Sequence, residues 1–306
     1  VLYRAIVDRA SGMAGKILGV LATGAAAIFL LIPMIETYQR PVENLTRMLE
    51  GQPLIERSAG PNFPALLETA QWIRDNTPPT SGFLDVSQPP EYSVLALSGN
   101  GHLIEYVGRR PTVTNNFGDD IGAENYRLVQ RYFAARSEAE AEAIASDLGA
   151  RYVVATLAGP RKPRSGPVPM LRQLADEDGQ GLGGHRLVFE ASGIGPGARA
   201  SDPIPKVFER VAGARVTGMA TPGEPVTADL ELRTNRGRRI LYRARTITGP
   251  EGRYILRLPY ANTGGQGPVQ TASYYRVRSQ GVEEQVRVDE RQVVHGDSAV
   301  GPNFGS

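Results

Sequence analysis

Residues 93–118 read SVLALSGNGHLIEYVGRRPTVTNNFG, and the reading of SGNGH, Ser98 to His102, decides which fold the first half of the chain adopts. A short apolar strand over Tyr92 to Leu97 runs into the two glycines. A helix follows over His102 to Val107, then a second strand at Thr112 and Val113. Three readings of Ser98-Gly99-Asn100-Gly101-His102 remain open. It is a phosphate-binding glycine loop, a loop that holds an acceptor, or a tight turn whose glycines need positive φ. The first gains from Asp119 and Asp120 downstream, and loses because Ile104 stands where G-x-G-x-x-G needs its third glycine.

Outward from this stretch the pattern alternates. FPALLETAQWIRD, Phe63 to Asp75, places Leu66, Leu67, Ala70 and Ile73 on one helical stripe with Trp72 beside it, and Asn76-Thr77-Pro78-Pro79 stops it. Ala123 to Leu148 carries one or two helices, and Arg151 to Leu157 is a strand rich in β-branched residues. A helix near Met170 to Asp176 and a strand over Arg186 to Glu190 complete the region. Strands separated by helices predict a mixed α/β core domain with a largely parallel sheet.

The character changes at Ala191 to Pro205, ASGIGPGARASDPIP, which reads as a linker. Beyond it VTADLELRT, ILYRARTI, RYILRLPYA, SYYRVRS and EEQVRVDERQVV alternate apolar and polar residues between Gly- and Asn-containing turns. That period predicts a C-terminal antiparallel β-sandwich.

Ahead of the α/β region, Ile17 to Ile35 reads ILGVLATGAAAIFLLIPMI without a charge. As a helix it would span about 28 Å, the thickness of a bilayer's hydrocarbon core. Arg4, Arg9 and Lys16 precede it, which favours a cytoplasmic N-terminus and an extracytoplasmic remainder after Glu36. A short amphipathic stretch over Val42 to Leu54 leaves the membrane. The predicted division is residues 1–36 as transmembrane helix, 37–200 as extracytoplasmic α/β domain, and 201–306 as sandwich and tail. The first residue is Val1, and the expectation is a piece of a longer, polytopic protein whose last span this is.

Composition narrows the chemistry. The net charge of +2 gives no nucleic-acid footprint, and the lack of cysteine removes thiol nucleophiles, disulfides and thiolate metal sites. His102, His185 and His295 are far apart in sequence, and no nucleophile–base–acid set can be assembled around them.

The stretch GHLIEYVGRRPTVTNNFG resembles the region after the WWDYG signature in the catalytic subunit of oligosaccharyltransferases. AQWIRDNTPPTSGF upstream, and GARYVVAT and HRLVFEAS downstream, are similar to that family in the same order. The stretches KVFERVAGARVTG, NRGRRILYRARTITGPEGRYILRLPYANTGG and SYYRVRS resemble its archaeal-type accessory sandwich. The signature itself departs: Leu97, Ser98, Gly99, Asn100 and Gly101 stand where the family has two tryptophans, an aspartate, a tyrosine and a glycine. Thr156 stands where a second motif has an acid. The resemblance implies an integral-membrane glycosyltransferase that moves a glycan from a polyprenyl-phosphate carrier to a polypeptide or other acceptor. Its implied partners are the chain's own upstream membrane domain, the lipid-linked donor, the acceptor and the membrane.

A divalent metal, Mg or Mn, is implied for that membrane half, with no cofactor, no metal and no catalytic residue in this chain. Ser98, Gly99, Asn100, Gly101 and His102, with Asn115 and Asn116, are the implied acceptor-binding residues. Asn115 and Asn116 read equally as a turn that caps its own backbone. Arg161, Lys162 and Arg164 are placed to approach headgroups or to form a solvated loop. The missing aromatic walls keep a second reading open, a membrane-tethered, non-catalytic module that binds carbohydrate or protein.

Overall fold

A computed structural model describes residues 12–51, 63–81, 83, 87–116, 123–156, 167–192, 204–263 and 269–304. The chain divides into two compact units, Val1–Ala59 and Gly60–Ser306.

Among the described residues the first unit holds one helix, α1 (Met13–Leu49), so the expected amphipathic stretch after Val42 continues the helix instead of starting a new one. Among the described residues no helix is long and apolar enough to cross a membrane. The side chains of Leu18 and of residues 32–35, inside the expected span, lie outside the described set. The described apolar side chains of α1 stand exposed, among them Ile17, Val20, Leu21, Ile28, Phe29 and Leu30.

The second unit begins with α2 (Phe63–Asn76), then β1 (Ser93–Ala96), α3 (Ser98–Tyr106), α4 (Ala123–Ala134), α5 (Glu138–Asp147), β2 (Ala150–Ala155), α6 (Met170–Ala175), β3 (His185–Glu190) and β4 (Lys206–Arg210). The four strands form one sheet in the order β1-β2-β4-β3. Only β1 and β2 are parallel, with Val94 opposite Tyr152, and β4 is antiparallel to both of its neighbours. The expected largely parallel sheet is therefore mixed and mostly antiparallel. The cause is β4, whose KVFER was read as the start of the sandwich: the chain crosses from β3 through the linker and returns between β2 and β3. Thr112, expected as a strand, makes a single parallel bridge to Val94.

Alternation along the strands distributes their side chains to two cores. Leu95, Val153, Leu187 and Phe208 face α4, α5 and α6, while Val94, Ala96, Tyr152, Val154 and Val207 face α2 and α3. Both faces are covered, which explains why SVLA is uniformly buried. Trp72 of α2 stacks on Phe189 at 4.9 Å between centroids.

The remaining elements are β5 (Ala214–Met219), β6 (Pro225–Arg233), β7 (Arg239–Ile247), β8 (Arg253–Leu258), β9 (Gln270–Thr271), β10 (Tyr275–Ser279), β11 (Val282–Val286), α7 (Glu290–His295) and β12 (Ser298–Asn303). One sheet runs β11-β10-β6-β7 with β9 beside β6, and a second runs β12-β5-β8. Every pair is antiparallel except β12 with β5. The hairpin between β6 and β7 turns at Gly237, φ 76°, as the NRG signal predicts. EEQVRVDERQVV does not continue as strand. Asp289 accepts from the Gln292 amide and Gln292 caps back on Asp289, and this capping box starts α7. Both sheets feed the core that α4, α5 and α6 cover, through Val216, Tyr254, Leu256, Leu230, Tyr242 and Val277.

Candidate acceptor site

Ser98 to His102 is neither a loop nor a tight turn. The strand ends at Ala96, Leu97 takes extended backbone (φ −61°, ψ 140°), and the helix opens at Ser98, four residues before the expected start. Gly99 and Gly101 both lack positive φ, which removes the turn and glycine-loop readings together. The two glycines have different reasons to be there. A Cβ on Gly99 would meet nothing within 4 Å. A Cβ on Gly101 would lie inside van der Waals contact of the Thr114 carbonyl and 2.7 Å from Asn115 Cα. Gly101 thus lets α3 lie directly on the 114–115 backbone, which is the close approach that glycine alone permits.

That contact brings the expected residues together. Asn115 Nδ2 donates to Glu105 Oε2 at 3.0 Å, and Thr112 Oγ1 donates to Glu105 Oε1 at 2.6 Å, so one carboxylate on α3 ties down the returning strand. Asn115 thus joins the 112–115 segment to α3 through Glu105. Ser98 and Asn100 are half-buried in the first turn, Gly99 and Asn116 are exposed, and His102 is half-buried one turn on. Leu97 supplies no side-chain cap. The Asn100 amide donates to the Leu97 carbonyl at 2.9 Å, so α3 starts directly after β1. Amides ahead of the first intrahelical bond of a helix can donate to a ligand carbonyl or hydroxyl. The Thr114 and Thr156 hydroxyls are buried and have no partner among the described residues. Asp119, Asp120 and the basic loop of Arg161, Lys162 and Arg164 lie outside the described residues.

Sequence reasoning missed a second polar cluster. Glu138, Glu142 and His185 bring one ligand atom each within 4.8 Å of one another, the geometry a metal ion would need. Their lone pairs are already committed. His185 is fully buried, with Nε2 2.9 Å from the Tyr132 hydroxyl and Nδ1 3.1 Å from Glu138 Oε1. Glu138 also accepts the Gly183 and Gly184 amides at 2.9 and 2.7 Å, and Glu142 pairs with Arg257 at 2.7 Å. Burial alone would raise the Glu138 pKa, but the His185 and glycine donors outweigh it and hold the carboxyl below its usual range. The cluster is a satisfied brace between α5 and β3, and it does not fit a metal. The one clue in sequence was the Gly183-Gly184-His185 run, whose bare amides cradle a carboxylate.

The chain is similar to the C-terminal part of archaeal oligosaccharyltransferases. Residues 65–158 match the AglB core domain, and residues 213–299 match the Archaeal glycosylation protein B long peripheral domain. Dolichyl-phosphooligosaccharide-protein glycotransferase 1 of Archaeoglobus fulgidus is 37% identical over 87 residues, 28% of this chain and 14% of that protein. Glycotransferase 3 of the same organism is 31% identical over 93 residues, 30% of this chain and 10% of that protein.

The fold is shared with the solved Archaeoglobus fulgidus oligosaccharyltransferase tethered with an acceptor peptide containing the NVT sequon. The TM-score is 0.67 at 19% identity, over 99% of this chain and 49% of that one. The oligosaccharyltransferase AglB from the same organism, in complex with an inhibitory peptide and a dolichol-phosphate, gives a TM-score of 0.64 at 19% identity, over 99% and 48%. This chain therefore spans about half the length of the solved relatives.

Proposed function

We propose that this chain is the acceptor-side, extracytoplasmic part of a membrane glycosyltransferase that moves a glycan from a lipid-linked carrier to a polypeptide acceptor. The observation that carries the reading is the ordered match of two domain models of one family, on a fold that agrees over 99% of the chain. The relatives' solved complexes contain an acceptor peptide, an inhibitory peptide and a dolichol-phosphate, which supports the choice of acceptor and donor class. The first turn of α3, with Ser98 and Asn100, contacts the acceptor, while Gly101, Glu105 and Asn115 fix that turn on the returning strand. Ser98 and Asn100 present a hydroxyl and an amide, which bind by hydrogen bonding without a charge. The catalytic groups and the Mg or Mn ion belong to a membrane half outside this chain, so the chain alone transfers nothing.

Residues 1–36 are its membrane anchor in this proposal. Ile17, Val20, Leu21, Ile28, Phe29 and Leu30 are each more than half exposed, and at 100° per residue they point around the whole helix. An apolar circumference of that kind needs an apolar solvent, and the basic N-terminal flank puts the remainder, α/β region and sandwich alike, outside the cytoplasm. Flotation of the full chain with lipid vesicles tests this point: it rises with the vesicles, and Leu21→Lys with Phe29→Lys leaves it at the bottom of the gradient. Recovery of the doubly substituted chain with the vesicles would refute the anchor.

A tethered, non-catalytic binding module is the second reading, favoured because Leu97 to Gly101 contains neither an aromatic nor an acidic residue and, among the described residues, Glu105 is held by Thr112 and Asn115. The experiment that separates the two measures transfer to an NVT-containing peptide in membranes where the longer protein is expressed. Ser98→Ala with Asn100→Ala lowers kcat/KM by about tenfold or more on the transferase reading, the loss of one or two acceptor hydrogen bonds. Unchanged transfer refutes the assignment of the site.

A further inference from the structure

The outer face of the sheet built on β6 and β7 carries more arginine than its carboxylates pair. Asp229 takes Arg243 at 2.6 Å and Arg278 at 3.2 Å, and Glu231 takes Arg276 at 3.2 Å. Glu283 takes Arg278 as well, at 2.5 Å. Arg233 and Arg239 are exposed, and among the described residues neither makes an ion pair or a side-chain hydrogen bond.

The register sets these two side by side. Arg233 lies directly opposite Arg239 in the β6–β7 ladder, and Gln270 of β9 lies opposite Arg233 on its other side. Directly opposed residues of antiparallel strands share a face, so Gln270, Arg233 and Arg239 form one row across three strands. The row lines a groove of about 680 Å³ together with Glu231, Leu241 and Arg276. Three guanidinium groups and one carboxylate line it, and Arg276 holds that carboxylate, which leaves two positive charges. Like charges directly opposed in a ladder repel each other, and no acid among the described residues relieves this pair.

We infer that this groove binds a phosphate dianion, free or at the end of a monoester. Two unpaired cations call for two negative charges. Each planar guanidinium fork meets phosphate oxygens two at a time, and adjacent forks suit one tetrahedral anion. The Gln270 amide in the same row offers a donor and an acceptor for a further oxygen or a hydroxyl. Exposed Leu241 gives one apolar wall for the rest of an ester. The site lies on β6, β7, β9 and β10 and does not rest on the transferase reading.

The probes are inorganic phosphate and glucose 6-phosphate, titrated into the full chain in detergent at pH ~8, above the second phosphate pKa. The backbone amide signals of Leu241 and Gln270 are the NMR readout. They are expected to shift saturably with at least one of the two and not with sodium chloride at equal ionic strength. The tighter of the two names the source, the free ion or the ester. An equal response to chloride, or none to either phosphate, overturns the inference without any variant. Arg239→Gln, which breaks no ion pair, is expected to raise the apparent Kd about tenfold. Arg245→Gln removes an exposed guanidinium of the same strand that does not line the groove, and is expected to change the Kd less than Arg239→Gln. Equal effects of the two substitutions would reduce the binding to bulk charge and overturn the site.

Discussion

Gly101 and Gly99 sit two positions apart in one helix and answer opposite demands. Gly101→Ala drives a methyl into the Thr114 carbonyl, and either α3 or the 114–115 backbone must move. The expected cost is about 1–3 kcal/mol by urea unfolding, as for other overpacked sites. Gly99→Ala adds a methyl in open space within a helix and is expected to leave stability unchanged or raise it by up to about 1 kcal/mol. Asp178 makes the other residue-scale case. Burial would raise its pKa, but Arg238 at 2.7 Å and Lys206 at 2.6 Å outweigh that and lower it. A lowered folded-state pKa gives stability that is present above the unfolded value near ~4 and is lost as pH falls through the folded value. Asp178→Asn is therefore expected to destabilise the chain at neutral pH, with the deficit shrinking as the pH is taken below ~4. A deficit that stays constant across that range in denaturant titrations would show that the carboxylate's charge is not what matters.

At the scale of elements, the sequence read best where the periodicity was strong. The stripe of FPALLETAQWIRD, the ladder of VTADLELRT and ILYRARTI, and the strand RLVFE all lie within a residue or two of their expected bounds. The misses share a cause. KVFER has no local mark to say which sheet it joins, because a strand's partner is set by the path of the chain and not by its own alternation. SGNGH leaves a phosphate loop, an acceptor loop and a tight turn open in the sequence, none of them helical, and close packing overrides the low helix propensity of its two glycines. VDERQVV did carry its signal, an Asp followed three residues later by Gln, and the alternation of the preceding EEQVRV hid it. Removing that signal gives the element-scale prediction: Asp289→Ala costs about 1 kcal/mol in thermal or chemical unfolding. Of the candidate site, the residues were legible and their geometry was not. Asn115 and Glu105 meet only because Gly101 brings two segments into contact, a fact of tertiary packing.

For the whole molecule, one core joins the α/β sheet and the two β-sheets behind it, while α3 packs on the opposite face of the α/β sheet through Ile104. The Arg238 bridge reinforces that shared core: it leaves the β6–β7 hairpin and reaches Asp178 and Glu190 at 2.7 and 2.6 Å in the α/β region. The central claim is that the first turn of α3 meets the acceptor. The most direct test places a photoreactive side chain at Asn100, and a second at exposed Gly181 as control, in membranes holding the longer protein and a labelled NVT peptide. The account predicts crosslinking from position 100 that unlabelled peptide competes away, and none above background from position 181. Equal labelling from both positions, or none from position 100, would contradict it.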